Sequence, residues 1–220
     1  AIMADKLGSC IFFGPPGTGK TTLATIIAET THGAFAKMNA VSSGVAEAKK
    51  LIEEARDRLK MYGRRTYLLL DECHRWNKAQ SDCVLSAIED GSIIFIGSTT
   101  ENPYVSMTNA IVSRCRIFEL KPLRDEEVRE GLIRAIKDEK NGYGKMKLSV
   151  TEEALDHFVW AAGGDLRSAY GALELAVLTT PPLADGTVTV DAKVAEQSSQ
   201  KKLLSVDETL YYDMLSAFCK

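Results

Sequence analysis

The sequence predicts an α/β domain, a parallel sheet flanked by helices, followed by a small all-helical domain. Three observations predict it. Short, unbroken apolar runs such as Leu68-Leu69-Leu70 and Ile93-Ile94-Phe95-Ile96 alternate with amphipathic helical stretches, as strands buried on both faces require. A glycine-rich loop joins the first apolar run to the first helix. After Lys121-Pro122-Leu123 the strand signals stop and helical periodicity takes over.

In chain order, Ser9–Phe13 reads as a strand and Lys20–Thr31 as a helix with Leu23, Ile26 and Ile27 on one face. Ala34–Asn39 is a second strand. Gly44–Lys60 is a long amphipathic helix whose apolar positions include Val45, Ala48, Leu51, Ile52, Ala55 and Leu59. Thr66–Leu70 is a strand ending in Asp71-Glu72, and Asn77 can cap a helix running to Glu89. Ser92–Gly97 and Arg116–Leu120 complete the sheet. Beyond it, Arg124–Lys140, Thr151 to Ala162, Leu166–Leu178, Val190–Glu196 and Glu208–Lys220 read as helices, with Pro181–Thr187 a loop. The expected division is 1–121 for the α/β core, 122–200 for the helical domain and 201–220 for the start of a further region. Both ends read as cuts through a longer chain.

Composition narrows the function classes. The 220 residues are 45% hydrophobic and 26% charged, which suits a packed globular chain rather than a disordered one. No apolar run approaches the ~20 residues of a membrane span, and the first residues lack a secretory layout. The net charge of −3 excludes a globally basic DNA binder, so any nucleic-acid contact must be a local patch or the work of several copies. Five cysteines, an odd number with no Cys-x-x-Cys pair, fit a reducing, cytoplasmic compartment. Cys73-His74 and Cys83 lack the fourth ligand and the spacing of a zinc site.

Gly14-Pro15-Pro16-Gly17-Thr18-Gly19-Lys20-Thr21 has the spacing and the strand–loop–helix context of a phosphate-binding loop. Its glycines let backbone N–H groups face phosphate oxygens, and the helix that follows adds its positive end. Lys20 can reach the β- and γ-phosphates of ATP, Thr21 can offer a hydroxyl to Mg²⁺, and Thr22 belongs to the same set. Asp71 ends an apolar strand, where a carboxylate faces the ligand crevice and can hold Mg²⁺. Glu72 can polarise a water for in-line attack on the γ-phosphate. Ser98-Thr99-Thr100 should emerge at the same edge, either to fix that water or as a polar strand end. Arg114 is either a surface charge or a guanidinium given to a neighbouring subunit's site. Arg167 begins a helix of the second domain and by itself reads as exposed. Lys49, Lys50, Arg56, Arg58, Lys60, Arg64 and Arg65 crowd one helix and its loop, either as a salt-bridged solvated face or as a DNA-tracking surface.

The order of these motifs resembles an AAA+ ATPase of the clamp-loader group. The stretches Asp71-Glu72-Cys73-His74-Arg75-Trp76-Asn77-Lys78-Ala79-Gln80 and Thr99-Thr100-Glu101-Asn102-Pro103-Tyr104 are more specific. They resemble the replication-associated recombination protein A family and its eukaryotic relatives, the Werner helicase-interacting proteins. The resemblance extends through Leu203–Phe218. It implies that Thr100 is the sensor beside the γ-phosphate, Arg114 a finger acting in trans, and Arg167 a lid residue that reads the γ-phosphate. It implies that Asn39 holds Glu72 inactive until partners bind. It further implies a DNA-stimulated ATPase at stalled or gapped forks, acting as a homotetramer near the bacterial nucleoid with single-stranded DNA-binding protein and replisome components as partners. A sliding-clamp loader, a branch-migration motor or a nucleotide-switched scaffold with incidental turnover are the alternatives.

Overall fold

The computed structural model describes residues 8–31 and 33–199. The chain divides into two compact units, Ala1–Pro122 and Leu123–Lys220.

The first unit carries a five-stranded sheet. Its strands are β1 (Cys10–Phe13), β2 (Ala34–Asn39), β3 (Thr66–Asp71), β4 (Ile93–Thr99) and β5 (Arg116–Glu119), in the order β2-β3-β4-β1-β5. Every pairing is parallel, so all the strands end at one edge. The helices are α1 (Lys20–Thr30), α2 (Val45–Tyr62), α3 (Lys78–Glu89) and two single turns, α4 (Pro103–Ser106) and α5 (Asn109–Val112).

Strand alternation explains the unbroken apolar runs. Leu68, Leu70, Ile93 and Phe95 point to the face covered by Ala48, Ile52 and Ala55 of α2 and by Val84 and Ala87 of α3. Tyr67, Leu69, Ile94 and Ile96 point to the other, against Ala24 and Ile27 of α1. The register of α1 differs from the expected one: Ile26 is 51% exposed, and Ala24 takes the inward place. The start of α3 follows the reading of Asn77 as its cap. Asn77 Oδ1 accepts the Gln80 N–H at 3.0 Å and Gln80 Oε1 accepts the Asn77 N–H at 3.0 Å, a reciprocal capping box.

The second unit packs α6 (Asp125–Lys137), α7 (Glu152–Ala162), α8 (Leu166–Thr179) and α9 (Ala192–Ser198) around Leu132, Phe158, Leu173 and Ala176. It also holds a short parallel pair, β6 (Leu148–Val150) and β7 (Val188–Val190). This corrects the reading of that region as free of strands: three-residue strands are too short to leave a periodic signal. Helix α6 stops at Lys137 rather than Lys140, because Asp138 Oδ1 accepts the N–H groups of Lys140 and Asn141 and turns the chain. The helix expected over Glu208–Lys220 lies outside the described residues.

Candidate nucleotide-binding site

The sheet order brings the chemistry-bearing segments to one edge. β1 is flanked by β4 and β5, and β3 lies on the other side of β4. Register pairs Asp71 with Ser98 and Phe13 with Thr99. The loop that leaves β1, the acids that end β3 and the hydroxyls that end β4 are therefore neighbours.

The loop is shaped by glycine at two decisive points. Gly14 has φ 144°, and a Cβ there would lie 2.0 Å from Leu120 O. Gly19 has φ 85° at the entry to α1, a conformation that costs an L side chain ~1–2 kcal/mol. Lys20, 8% exposed, folds back along the loop, its Nζ donating to Gly14 O at 2.8 Å and Pro15 O at 2.5 Å. Thr18 Oγ1 donates to Pro15 O at 3.0 Å.

Asp71 Oδ1 accepts hydrogen bonds from Thr21 Oγ1, at 3.3 Å, and from Ser98 Oγ. A carboxylate and a hydroxyl converging at a loop–helix junction are hard oxygen donors, the set that suits Mg²⁺. Sequence reasoning did not single out Ser98 as a partner of Asp71; the cross-strand register supplies the pairing.

Glu72 has φ 55° and ψ 41°, and among the described residues it alone of the non-glycines has positive φ. Such a backbone is held only where its surroundings over-determine it, and it accumulates at functional sites. A 3₁₀ turn over Cys73–Arg75 follows. It brings His74, whose side chain is 5% exposed, against three groups. Nδ1 lies 2.8 Å from Thr99 Oγ1 and 3.5 Å from Glu72 Oε2, and Nε2 lies 3.5 Å from Glu101 Oε1.

A family model described as "ATPase family associated with various cellular activities (AAA)" matches residues 10–123. The chain belongs to that family. A second AAA model, the AAA C-terminal domain, matches residues 144–220. The chain is 45% identical to Replication-associated recombination protein A of Bacillus subtilis, over all of this chain and 51% of that protein. It is 38% identical to the protein of that name in Escherichia coli, over all of this chain and 49% of that protein. The chain thus spans about half the length of these relatives. In fold it is similar to the structure titled Thermotoga maritima RuvB Holliday junction branch migration motor. The TM-score is 0.65 at 21% identity, with 96% of this chain and 66% of that one covered.

The other AAA candidate residues take separate places. Thr100 follows β4 and is exposed at the same edge. Asn39 ends β2 opposite Asp71, but its Oδ1 accepts the Val41 N–H at 2.8 Å. In this structure Glu72 Oε2 lies 3.5 Å from His74 Nδ1, whereas Asn39 serves its own turn. Arg114 lies just before β5, at the opposite edge of the sheet from the phosphate loop. Register pairs Arg116 with Cys10, the start of β1, so the length of a strand, roughly 13 Å or more, separates Arg114 from Gly14. There Arg114 Nη2 meets Glu89 Oε1 at 2.5 Å and Nη1 donates to Ala110 O at 2.8 Å. Its side chain is 38% exposed. So placed, the guanidinium lies at the edge of the sheet far from the loop of its own chain. Arg167 stands on the second unit, exposed in the first turn of α8, where Asp165 Oδ1 caps the Arg167 and Ser168 N–H groups.

The basic helix lies over one face and ends at that same far edge. Part of its charge is committed: Arg56 pairs with Asp90 at 2.8 Å, Arg58 donates to Thr66 Oγ1 at 2.6 Å, and Arg64 donates to Gly33 O at 3.0 Å. Lys49, Lys50, Lys60 and Arg65 are exposed.

Proposed function

We propose that this chain is the ATP-hydrolysing part of a DNA-dependent ATPase that acts at stalled or gapped replication forks, in replication-associated recombination and repair. The observation that carries the reading is the meeting of the phosphate loop, Asp71, Glu72 and the end of β4 at one sheet edge. The likeness to Replication-associated recombination protein A, over all of this chain and about half of that protein, supports the biological setting.

In this reading the amides of Gly14 to Thr21, with Pro15, Pro16 and Thr18 shaping the turn, embrace the β- and γ-phosphates of ATP. Lys20 exchanges its carbonyl partners for phosphate oxygens. Thr21 and Asp71 hold Mg²⁺, which when bound neutralises charge on the phosphates. Glu72 takes a proton from the attacking water, and Thr100 orients that water or the γ-phosphate. Arg114 completes the site of a neighbouring copy, and Arg167 reads the γ-phosphate from the helical lid. Asn39 engages Glu72 only in an inhibited arrangement. The protein works as a homotetramer in the cytoplasm beside the nucleoid, touching DNA phosphates through Lys49, Lys50, Lys60 and Arg65, with single-stranded DNA-binding protein and replisome components as partners. The intact set of Lys20, Asp71, Glu72 and Arg114 favours turnover over a nucleotide-switched scaffold.

Steady-state ATP hydrolysis measured without DNA and with duplex, single-stranded, gapped and forked DNA tests this directly. Gapped and forked DNA should stimulate turnover most. Equal rates on every substrate, or no response to DNA, would contradict it.

A further inference from the structure

We infer that His74 is a positioning residue for Glu72, locking the carboxylate that activates water to the end of β4. This rests on the reading of Glu72 as the base.

The device is built from the strand outward. Gly97 in β4 leaves room that a side chain would crowd: a Cβ there would meet Cys73 Sγ at 3.0 Å. Cys73 fills that room, 1% exposed, with its Sγ 3.5 Å from Met107 Sδ. The 3₁₀ turn is thereby pinned against β4, and the next side chain, His74, is delivered to the strand's last residue, Thr99. Thr99 is in turn fixed, since its Oγ1 accepts the Glu101 N–H at 3.0 Å. The imidazole then spans from Thr99 and Glu72 on its Nδ1 side to Glu101 on its Nε2 side. A flexible glutamate would otherwise sample several rotamers on a backbone already in the left-handed region. Bridging its carboxylate to β4 restricts that choice. The bridge also links Glu72 to the two residues flanking Thr100, so a shift of the Thr99–Glu101 segment would be felt at the base. Burial obliges both ring nitrogens to find polar partners, and the partners found here, Thr99, Glu72 and Glu101, are the groups that join the base to the end of β4.

The experiment compares His74→Ala, His74→Asn and Thr99→Val with the unmodified protein, each checked for folding by circular dichroism. In His74→Ala kcat should fall about 10- to 100-fold, the scale of a misplaced reacting group. KM and nucleotide Kd should stay within about threefold, since the phosphate loop is untouched. His74→Asn, which keeps a polar atom near the Nδ1 position, should recover part of the loss, and Thr99→Val should reproduce part of it. On a Glu72→Gln background, His74→Ala should add less than about threefold, because the group it positions is gone. A second readout needs no turnover. With histidine ¹⁵N-labelled, the His74 ring signals, assigned among the three histidines by their loss in His74→Asn, should move in Glu72→Gln and in Thr99→Val. An unchanged kcat in folded His74→Ala, with Glu72→Gln inactive, overturns the positioning role and leaves the base standing. Ring signals indifferent to Glu72→Gln also overturn it. Full activity in Glu72→Gln removes the base, and the proposal with it.

Discussion

In the proposed reading, hydrolysis and binding separate on Glu72 and Lys20. Glu72→Gln keeps the side chain's shape and leaves Asp71 in place, so nucleotide affinity should hold. Turnover should fall about 10²- to 10⁴-fold, the usual contribution of a general base. Lys20→Ala should instead lose affinity, because its ammonium, held against the loop carbonyls Gly14 O and Pro15 O, would be exchanged onto phosphate oxygens in the proposed reading. Calorimetric binding alongside a hydrolysis assay distinguishes the two. The thiols make a separate prediction. Burial pushes Cys10 up to about 12. Burial, and then the neighbouring Cys10, push Cys115 up to about 12. Burial also drives Cys73 upward. These groups stay protonated in the folded chain, so a thiol reagent at pH 8 should modify Cys83 well before Cys10, Cys73 or Cys115. The unfolded chain releases those protons near pH 9, the ordinary value. The stability they confer is therefore complete below pH 9 and is lost as pH rises from there toward 12. At this scale the loop, Asp71 and Glu72 were legible because fixed spacing carries their chemistry. Ser98 and His74 were not, because one depends on cross-strand register and the other on a 3₁₀ turn.

Helix α3 is placed by its cap, and Asn77→Ala should cost about 1 kcal/mol in denaturant unfolding, since it removes one of two reciprocal bonds. The loop after β1 is placed by close approach. In Gly14→Ala the new methyl would run into Leu120 O, and a loss of about 1–3 kcal/mol is expected from the crowding alone. The basic helix calls for a selective test, because Arg56, Arg58 and Arg64 already have protein partners. Reversing Lys60 and Arg65 to Glu should weaken DNA binding for all sequences alike. It should also make the slope of log affinity against log salt shallower by about 2 for duplex. An unchanged slope would return this surface to solvent. The strands were legible as elements because burial on both faces needs continuous apolar runs. What escaped was finer: the rotation of α1 that exposes Ile26 and the three-residue strands β6 and β7, each decided by packing partners distant in sequence.

For the whole molecule, the central claim is that a complete catalytic site needs two copies of the chain. The sheet itself argues for it: Arg114 and the phosphate loop stand at opposite edges of parallel strands, so one copy cannot bring them together. The Glu89 carboxylate holds the guanidinium at that edge while leaving it partly open to solvent. Arg114→Ala should therefore keep nucleotide affinity and lose about 10³-fold or more in turnover, the scale of an arginine finger. The most direct measurement mixes Arg114→Ala with Glu72→Gln, under conditions where subunit exchange is verified by a labelled-subunit assay, and follows ATP hydrolysis against the ratio of the two. Each variant alone should be nearly inactive. In the mixture, some interfaces join an intact Glu72 to an intact Arg114, so activity should reappear and peak at an intermediate ratio. Exchange without any recovered activity would mean that both groups must lie on one chain, and would contradict the account.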